Sequence, residues 1–194
     1  DGKVGRVILR PEHEGRACQD PGEAGTDAGI EVSAGLARIV VEGERRFDVV
    51  VMSEVLEHVH WPHLALANIH RFLAPGGRLA VVFGAGGDRD PAKRALMGAA
   101  ASRHADRVVL TSDNPRSEDP LAIIEAIRAG VTAPYVIEPD RRAAIERTVR
   151  GTQAADVILI AGKGHETVQE ISGRQLPFSD AVVAAAALER WRGE

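Results

Sequence analysis

The chain has 194 residues, 44% of them hydrophobic and 27% charged, with a net charge of −4. That balance predicts one large soluble domain, or one domain with an appendage, and excludes the basic footprint of a nucleic-acid surface. No apolar run approaches the roughly 18 residues of a membrane span, and no signal-peptide pattern opens the chain.

The single Cys18 rules out an internal disulfide and fits a reducing, cytoplasmic compartment. Aromatic residues are 4% of the chain, so the core must be built from Val, Ile, Leu and Ala. The chain begins at Asp1, which leaves a fragment, a processed form and an assembled sequence all open.

Residues 1–29 are rich in charge and glycine, with a turn signal at Asp20-Pro21-Gly22. Val7-Ile8-Leu9 can form a short strand, but most of this segment is expected to be poorly structured. Phe47–Met52 is a continuous apolar run, the pattern of a strand buried on both faces of a parallel sheet. A helix is predicted over 62–73, stopped by Pro75-Gly76-Gly77, and Leu79–Phe83 is the next buried strand. This makes a β-α-β unit.

The alternation then repeats. Asp90-Pro91 opens a helix to about His104, Arg107–Leu110 is a strand, and Asp119-Pro120 opens a helix to Ala129. Tyr135–Ile137 is a short strand, Arg141–Val149 a helix, and Asp156–Ile160 a buried strand. Ser172-Gly173 turns a hairpin between Thr167–Ile171 and Arg174–Leu176, and an Ala-rich helix covers Asp180–Arg192. Repeated βα units predict a doubly wound, Rossmann-like α/β fold, with a mostly parallel sheet and helices on both faces.

In such sheets ligands gather at the carboxyl ends of the strands. Three motifs are expected there: Gly86-Gly87-Asp88-Arg89-Asp90, Thr111-Ser112-Asp113-Asn114-Pro115-Arg116, and Gly162-Lys163-Gly164-His165-Glu166. Their shared placement predicts one composite site. Each also has a plainer explanation. Asn114-Pro115 makes a turn whether or not Arg116 grips a carboxylate with its planar fork. A Gly-rich loop can simply reverse the chain, and Asp90 can cap a helix. Lys93 and Arg94 can be solvated charges. The loop at Gly162 is not a phosphate-binding P-loop, because His165 stands where Ser or Thr is required. His165 can hydrogen-bond within its loop, and no second ligand at metal-site spacing accompanies it.

These three motifs resemble the C-terminal domain of the Mur ligases, in particular the diaminopimelate-adding branch, over about Val81–Trp191. The resemblance implies that Arg116 and Asn114 bind the distal carboxylate of meso-diaminopimelate and that Gly162 and Glu166 contact its distal ammonium. It implies that Arg89 binds a substrate carboxylate. Asp88, Asp113, Lys93 and His165 are secondary candidates. Diaminopimelate and lysine differ by one distal carboxylate, so a buried Arg116 favours the former.

The resemblance further implies ATP and Mg in a three-domain enzyme, where the amine of diaminopimelate attacks an activated precursor carboxylate. Of those domains this chain holds one, so UDP-MurNAc-dipeptide is a partner only with the others, and no turnover is expected from the chain alone. The family's C-terminal domain opens with a motif like Asp-Tyr-Ala-His-Thr-Pro-Asp. Phe47–Pro62 stands in that place, with His60-Trp61-Pro62 the nearest counterpart.

Residues 29–83 resemble part of a class I S-adenosylmethionine-dependent methyltransferase through Gly29–Ser33, Phe47–Val59 and Leu73–Leu79. That resemblance implies cofactor binding by Glu31, with Glu57 as a second acidic candidate. Its glycine-rich loop is missing, and the gap from Glu31 to Asp48 is short for the usual helix and strand. The sequence divides into 1–29, a methyltransferase-like 30–83 and a ligase-like 84–194, with one continuous sheet over 30–194. A degenerate methyltransferase and a folded, non-catalytic chimera stand as alternatives.

Overall fold

The computed structural model describes residues 5–9, 28–33, 36–41, 47–53, 73, 75–153, 156–163 and 166–191, with the backbone alone before residue 73. The strands are β1 Gly5–Leu9, β2 Ala28–Ser33, β3 Leu36–Val41, β4 Phe47–Ser53, β5 Leu79–Phe83, β6 Arg107–Leu110, β7 Tyr135–Ile137, β8 Val157–Gly162, β9 Val168–Ile171 and β10 Arg174–Pro177. The helices are α1 Ala92–Ser102, α2 Pro120–Arg128, α3 Arg141–Arg150 and α4 Asp180–Trp191.

Six strands form one parallel sheet in the order β1-β4-β8-β5-β6-β7. Every residue of β5 and β8 is buried, as their unbroken apolar runs require of strands covered on both faces. Alternate residues serve opposite faces. Leu79, Val81, Phe83 and Leu159 pack with Ile123, Ile124 and Ile127 of α2. Ala80, Val82, Ile158 and Ile160 pack with Ile145 and Val149 of α3 and Val183 and Ala187 of α4. The fold is the expected doubly wound α/β arrangement.

From β5 the chain steps outward to β6 and β7, then α3 carries it back so that β8 lies on the other side of β5. The reversal puts a switch point between β5 and β8, where an open α/β sheet leaves a crevice at the carboxyl ends of its strands.

Helix starts follow local chemistry. Asp119 Oδ1 accepts from Leu121 N and Asp140 Oδ1 from Ala143 N. Asp90 Oδ1 accepts from Ala92 N, one residue later than the sequence reading placed the helix start.

Three features differ from the expected arrangement. Gly5–Leu9, within the segment expected to be poorly structured, pairs with β4. Residues 28–41 form a separate antiparallel hairpin, β2–β3, instead of joining the main sheet. The strands Phe47–Ser53 and Leu79–Phe83, expected as neighbours, are separated by β8. The helix predicted over 62–73 lies outside the described residues, Leu73 excepted. Among the described residues no helix is long and apolar enough to cross a membrane.

At the opposite end of the sheet, Asp156 ties two strand starts together. Its carboxylate accepts from Arg78 N and Arg78 Nη2, each at 3.0 Å, and from Gln153 N at 3.0 Å. Burial alone would raise its pKa, but the Arg78 guanidinium and the two backbone N–H groups outweigh that and lower it. A carboxylate with a depressed folded-state pKa stabilises above its unfolded pKa of about 4 and loses that contribution as pH falls through the folded value. Asp156→Asn should therefore flatten the acid limb of the stability curve, measured by urea unfolding at stepped pH. An unchanged acid limb would remove Asp156 as its source.

Candidate functional site

The three motifs converge in the crevice. Gly84–Asp90 leaves β5, Thr111–Arg116 leaves β6, and Gly162–Glu166 ends β8. Gly87 N donates to Asn114 O at 2.9 Å, and Arg116 Nη1 donates to Gly87 O at 2.5 Å. A Cβ on Gly87 would stand 1.9 Å from Pro115 O, so only glycine permits this approach of the two turns. Above neighbouring Gly86, Arg116 Nη1 and Arg89 Cγ lie 2.9 and 3.5 Å from a single point, the place a Cβ would take. The Arg116 guanidinium and the aliphatic stem of Arg89 thereby meet beside Gly86.

Asp88 and Arg116 both hold positive φ, 54° and 51°, a left-handed conformation that costs non-glycine residues energy. Hydrogen bonds hold both in place. Asp88 N donates to Glu118 Oε1, and Asp88 Oδ1 accepts from Ser117 Oγ, each at 2.6 Å. Arg94, buried at 5% exposure, grips both oxygens of Glu118 at 2.9 and 2.8 Å. These Arg94 bonds, followed by the Asp88 N–H, hold the Glu118 carboxyl below its usual range.

Arg116 is also stitched to β9. Its N–H donates to Glu170 O, and its carbonyl accepts from Ser172 N at 2.8 Å. Gln169 Nε2 donates to Asp113 O at 2.7 Å, and Glu170 N donates to Asn114 Oδ1 at 2.9 Å. The β9–β10 hairpin is thus a wall of the site.

The other half of the site is acidic. Gly162 has φ 118°, and a Cβ there would fall 2.3 Å from Asp113 Oδ2. Asp113 is 7% exposed. Burial pushes its pKa up, against the pull of Arg141 and Lys163. Asn114 Nδ2 donates to Glu166 Oε2 at 2.8 Å. Beneath them Arg141 and Asp180, both fully buried, pair through two bonds of 2.8 and 2.7 Å. Arg141 also donates to Ser112 O and Ala161 O, which anchors the ends of β6 and β8.

Of the candidates from sequence, Arg89, Asp113, Asn114, Arg116, Gly162 and Glu166 come together here. Asp88 is engaged in the turn beside them, Lys93 is exposed on α1, and His165 lies outside the described residues. Arg94, expected as a possible solvated charge, is buried. Sequence reasoning missed Glu118, Arg141, Lys163, Gln169 and Asp180, which position the others. A polar residue inside an otherwise apolar helix face is the one signal Arg141 offers.

A family model described as the Mur ligase glutamate ligase domain matches residues 60–164, more than half of the chain. The chain belongs to the Mur ligase family. The match begins at residue 60, earlier than the Val81 boundary expected from the motifs. The UDP-N-acetylmuramoyl-L-alanyl-D-glutamate–2,6-diaminopimelate ligase of Chromobacterium violaceum is 52% identical over 141 residues, which are 71% of this Mur ligase chain and 29% of that protein. The ligase of the same name from Ralstonia nicotianae is 54% identical over 134 residues, 65% of this chain and 26% of its own length. A solved structure of a ligase of that name superposes with a TM-score of 0.67 at 36% identity, over 76% of this chain and 31% of its own. The Mur ligase chain therefore spans under a third of the length of these relatives.

A second family model, a methyltransferase domain, matches residues 22–81. In the structure Glu31 stands opposite Arg38 in the backbone register of the β2–β3 hairpin. It does not end a parallel strand of the main sheet, which is where a nucleoside cofactor's ribose would meet it. The geometry therefore gives no support to cofactor binding by Glu31, and Glu57 lies outside the described residues.

Proposed function

We propose that the chain is the amino-acid-binding domain of a ligase in peptidoglycan precursor synthesis, and that its ligand is meso-diaminopimelate. The observation that carries this reading is the polarity of the crevice. Arg116 and the stem of Arg89 approach one point above Gly86, while Asp113 lies against Gly162 and Glu166 is held by Asn114. A ligand with a carboxylate and an ammonium at one end meets both signs of charge. The names of the relatives support the choice of diaminopimelate.

The domain's part in the reaction is proximity: it holds the amine of the incoming amino acid in a fixed direction. ATP and Mg serve the full-length relatives' chemistry, and UDP-MurNAc-dipeptide would be the second substrate. Among the described residues no group of three or more His, Cys, Asp or Glu could hold a metal ion. Alone it binds without turnover; ATP-dependent amide formation by the purified chain would overturn that.

Ligand-observed NMR titration tests the binding. The chain should bind meso-diaminopimelate in preference to lysine, and Arg116→Ala should weaken the former about 10- to 100-fold, the worth of a charge-assisted bond. Equal silence toward both amino acids in a folded sample would remove the proposal and favour a non-catalytic chimera.

A further inference from the structure

Lys163 follows the last residue of β8 and is fully buried. Removing an ammonium from water is costly unless it gains strong partners, and an apolar residue would fill the same space without that cost. Its partners are two residues of the candidate site. Lys163 Nζ donates to Asn114 Oδ1 at 2.7 Å and to Glu166 Oε2 at 2.9 Å. Asn114 Nδ2 closes the triangle on the same Glu166 oxygen at 2.8 Å.

This triangle decides which way the Asn114 amide points. Its Oδ1 receives Lys163 Nζ and Glu170 N, and a flipped amide would turn its NH2 group against both donors. Lys163 thus joins the turn after β6 to the loop after β8. We infer that Lys163 is a positioning residue that locks Asn114 and Glu166 into one unit, so that the carboxylate-binding and ammonium-binding halves of the site act on a single amino acid. The inference rests on the proposed function.

A second consequence is electrostatic. The Asp113 carboxyl faces Lys163 and Glu166 of the β8 loop, Arg141 of α3 and Asp180 of α4. Arg141 is paired with Asp180, and Lys163, paired with Glu166, is a second cation that opposes the upward push of burial on Asp113. Without it the Asp113 carboxyl takes up its proton at higher pH, and a protonated carboxyl no longer holds an ammonium.

The dissociation constant of meso-diaminopimelate, measured by NMR from about pH 5 to about pH 9 on the whole chain, tests this. Lys163→Gln should weaken binding about tenfold or more at neutral pH, and its acid loss of binding should begin at higher pH than in the unchanged chain. Lys163→Arg should restore the pH profile. An unchanged constant, or uniform weakening at every pH, would overturn the role of Lys163 while leaving the function standing. No binding by the unchanged chain would overturn both. Should the variants not fold, the Lys163 Nζ resonance of the unchanged chain decides. It must shift when meso-diaminopimelate saturates the site, and an unmoved signal rejects the role.

Discussion

Asp180→Ala is expected to destabilise the chain by about 3–5 kcal/mol, the cost of leaving one member of a buried ion pair alone. Arg141 and Asp180 have no exposed side-chain surface, and Arg141 is held at Ser112 O and Ala161 O as well. Burial would lower the Arg141 pKa, but the Asp180 charge and hydrogen bonds outweigh it and keep the guanidinium ionised. With Asp180 gone, that charge cannot reach water or shed its proton. Urea unfolding checks the figure, with Glu125→Ala as the comparison, because the exposed Arg128–Glu125 pair should be worth about 1 kcal/mol or less. A loss in Asp180→Ala no larger than in Glu125→Ala would show that the pair does not anchor the strand ends. Replacing both Arg141 and Asp180 by apolar residues of similar volume should cost far less than either single change.

Gly162→Ala should abolish amino-acid binding. At φ 118° an L side chain is strained by roughly 1–3 kcal/mol, and the new Cβ would lie 2.3 Å from Asp113 Oδ2. The Asp113 carboxyl must move, or the end of β8 must. Either shift separates the two acidic groups that the proposed function assigns to the ammonium. Gly173→Ala isolates the strain, since Gly173 has φ 73° and nothing within 4 Å of its Cβ position. It should lose some stability and keep its ligand. Titration of both variants with meso-diaminopimelate separates the effects, and retained binding in Gly162→Ala would remove Gly162 from the site.

Much of this was legible in the sequence because the buried strands are continuous apolar runs and the helices open at Asp-Pro or Asp caps. The runs at Leu79 and Val157 announce strands covered on both faces, and hence a parallel sheet. The site motifs were legible for a related reason, since each follows a strand at its carboxyl end. Strand order was not, because nothing local in Val157–Gly162 says that it inserts between β4 and β5. The β2–β3 hairpin is masked in the sequence by the likeness of Gly29–Ser33 to part of a parallel methyltransferase unit, although Ile30 and Val32 alternate with polar or small residues. Lys163 and Arg141 escaped notice for a physical reason. A charged residue reads as solvated until its partners, far off in the chain, are known.

The place of β8 bears on how the molecule comes to be folded. Of the six strands in the parallel sheet it is the last to be synthesised, yet it occupies an interior position with β4 on one side and β5 on the other. Until it emerges, the earlier strands form two separate groups, β1 with β4 and β5 with β6 and β7, each with an open inner edge. From the completion of β5 until β8 emerges, the nascent chain therefore carries two unpaired, apolar strand edges, the kind of surface that chaperones shield and that aggregates when left exposed.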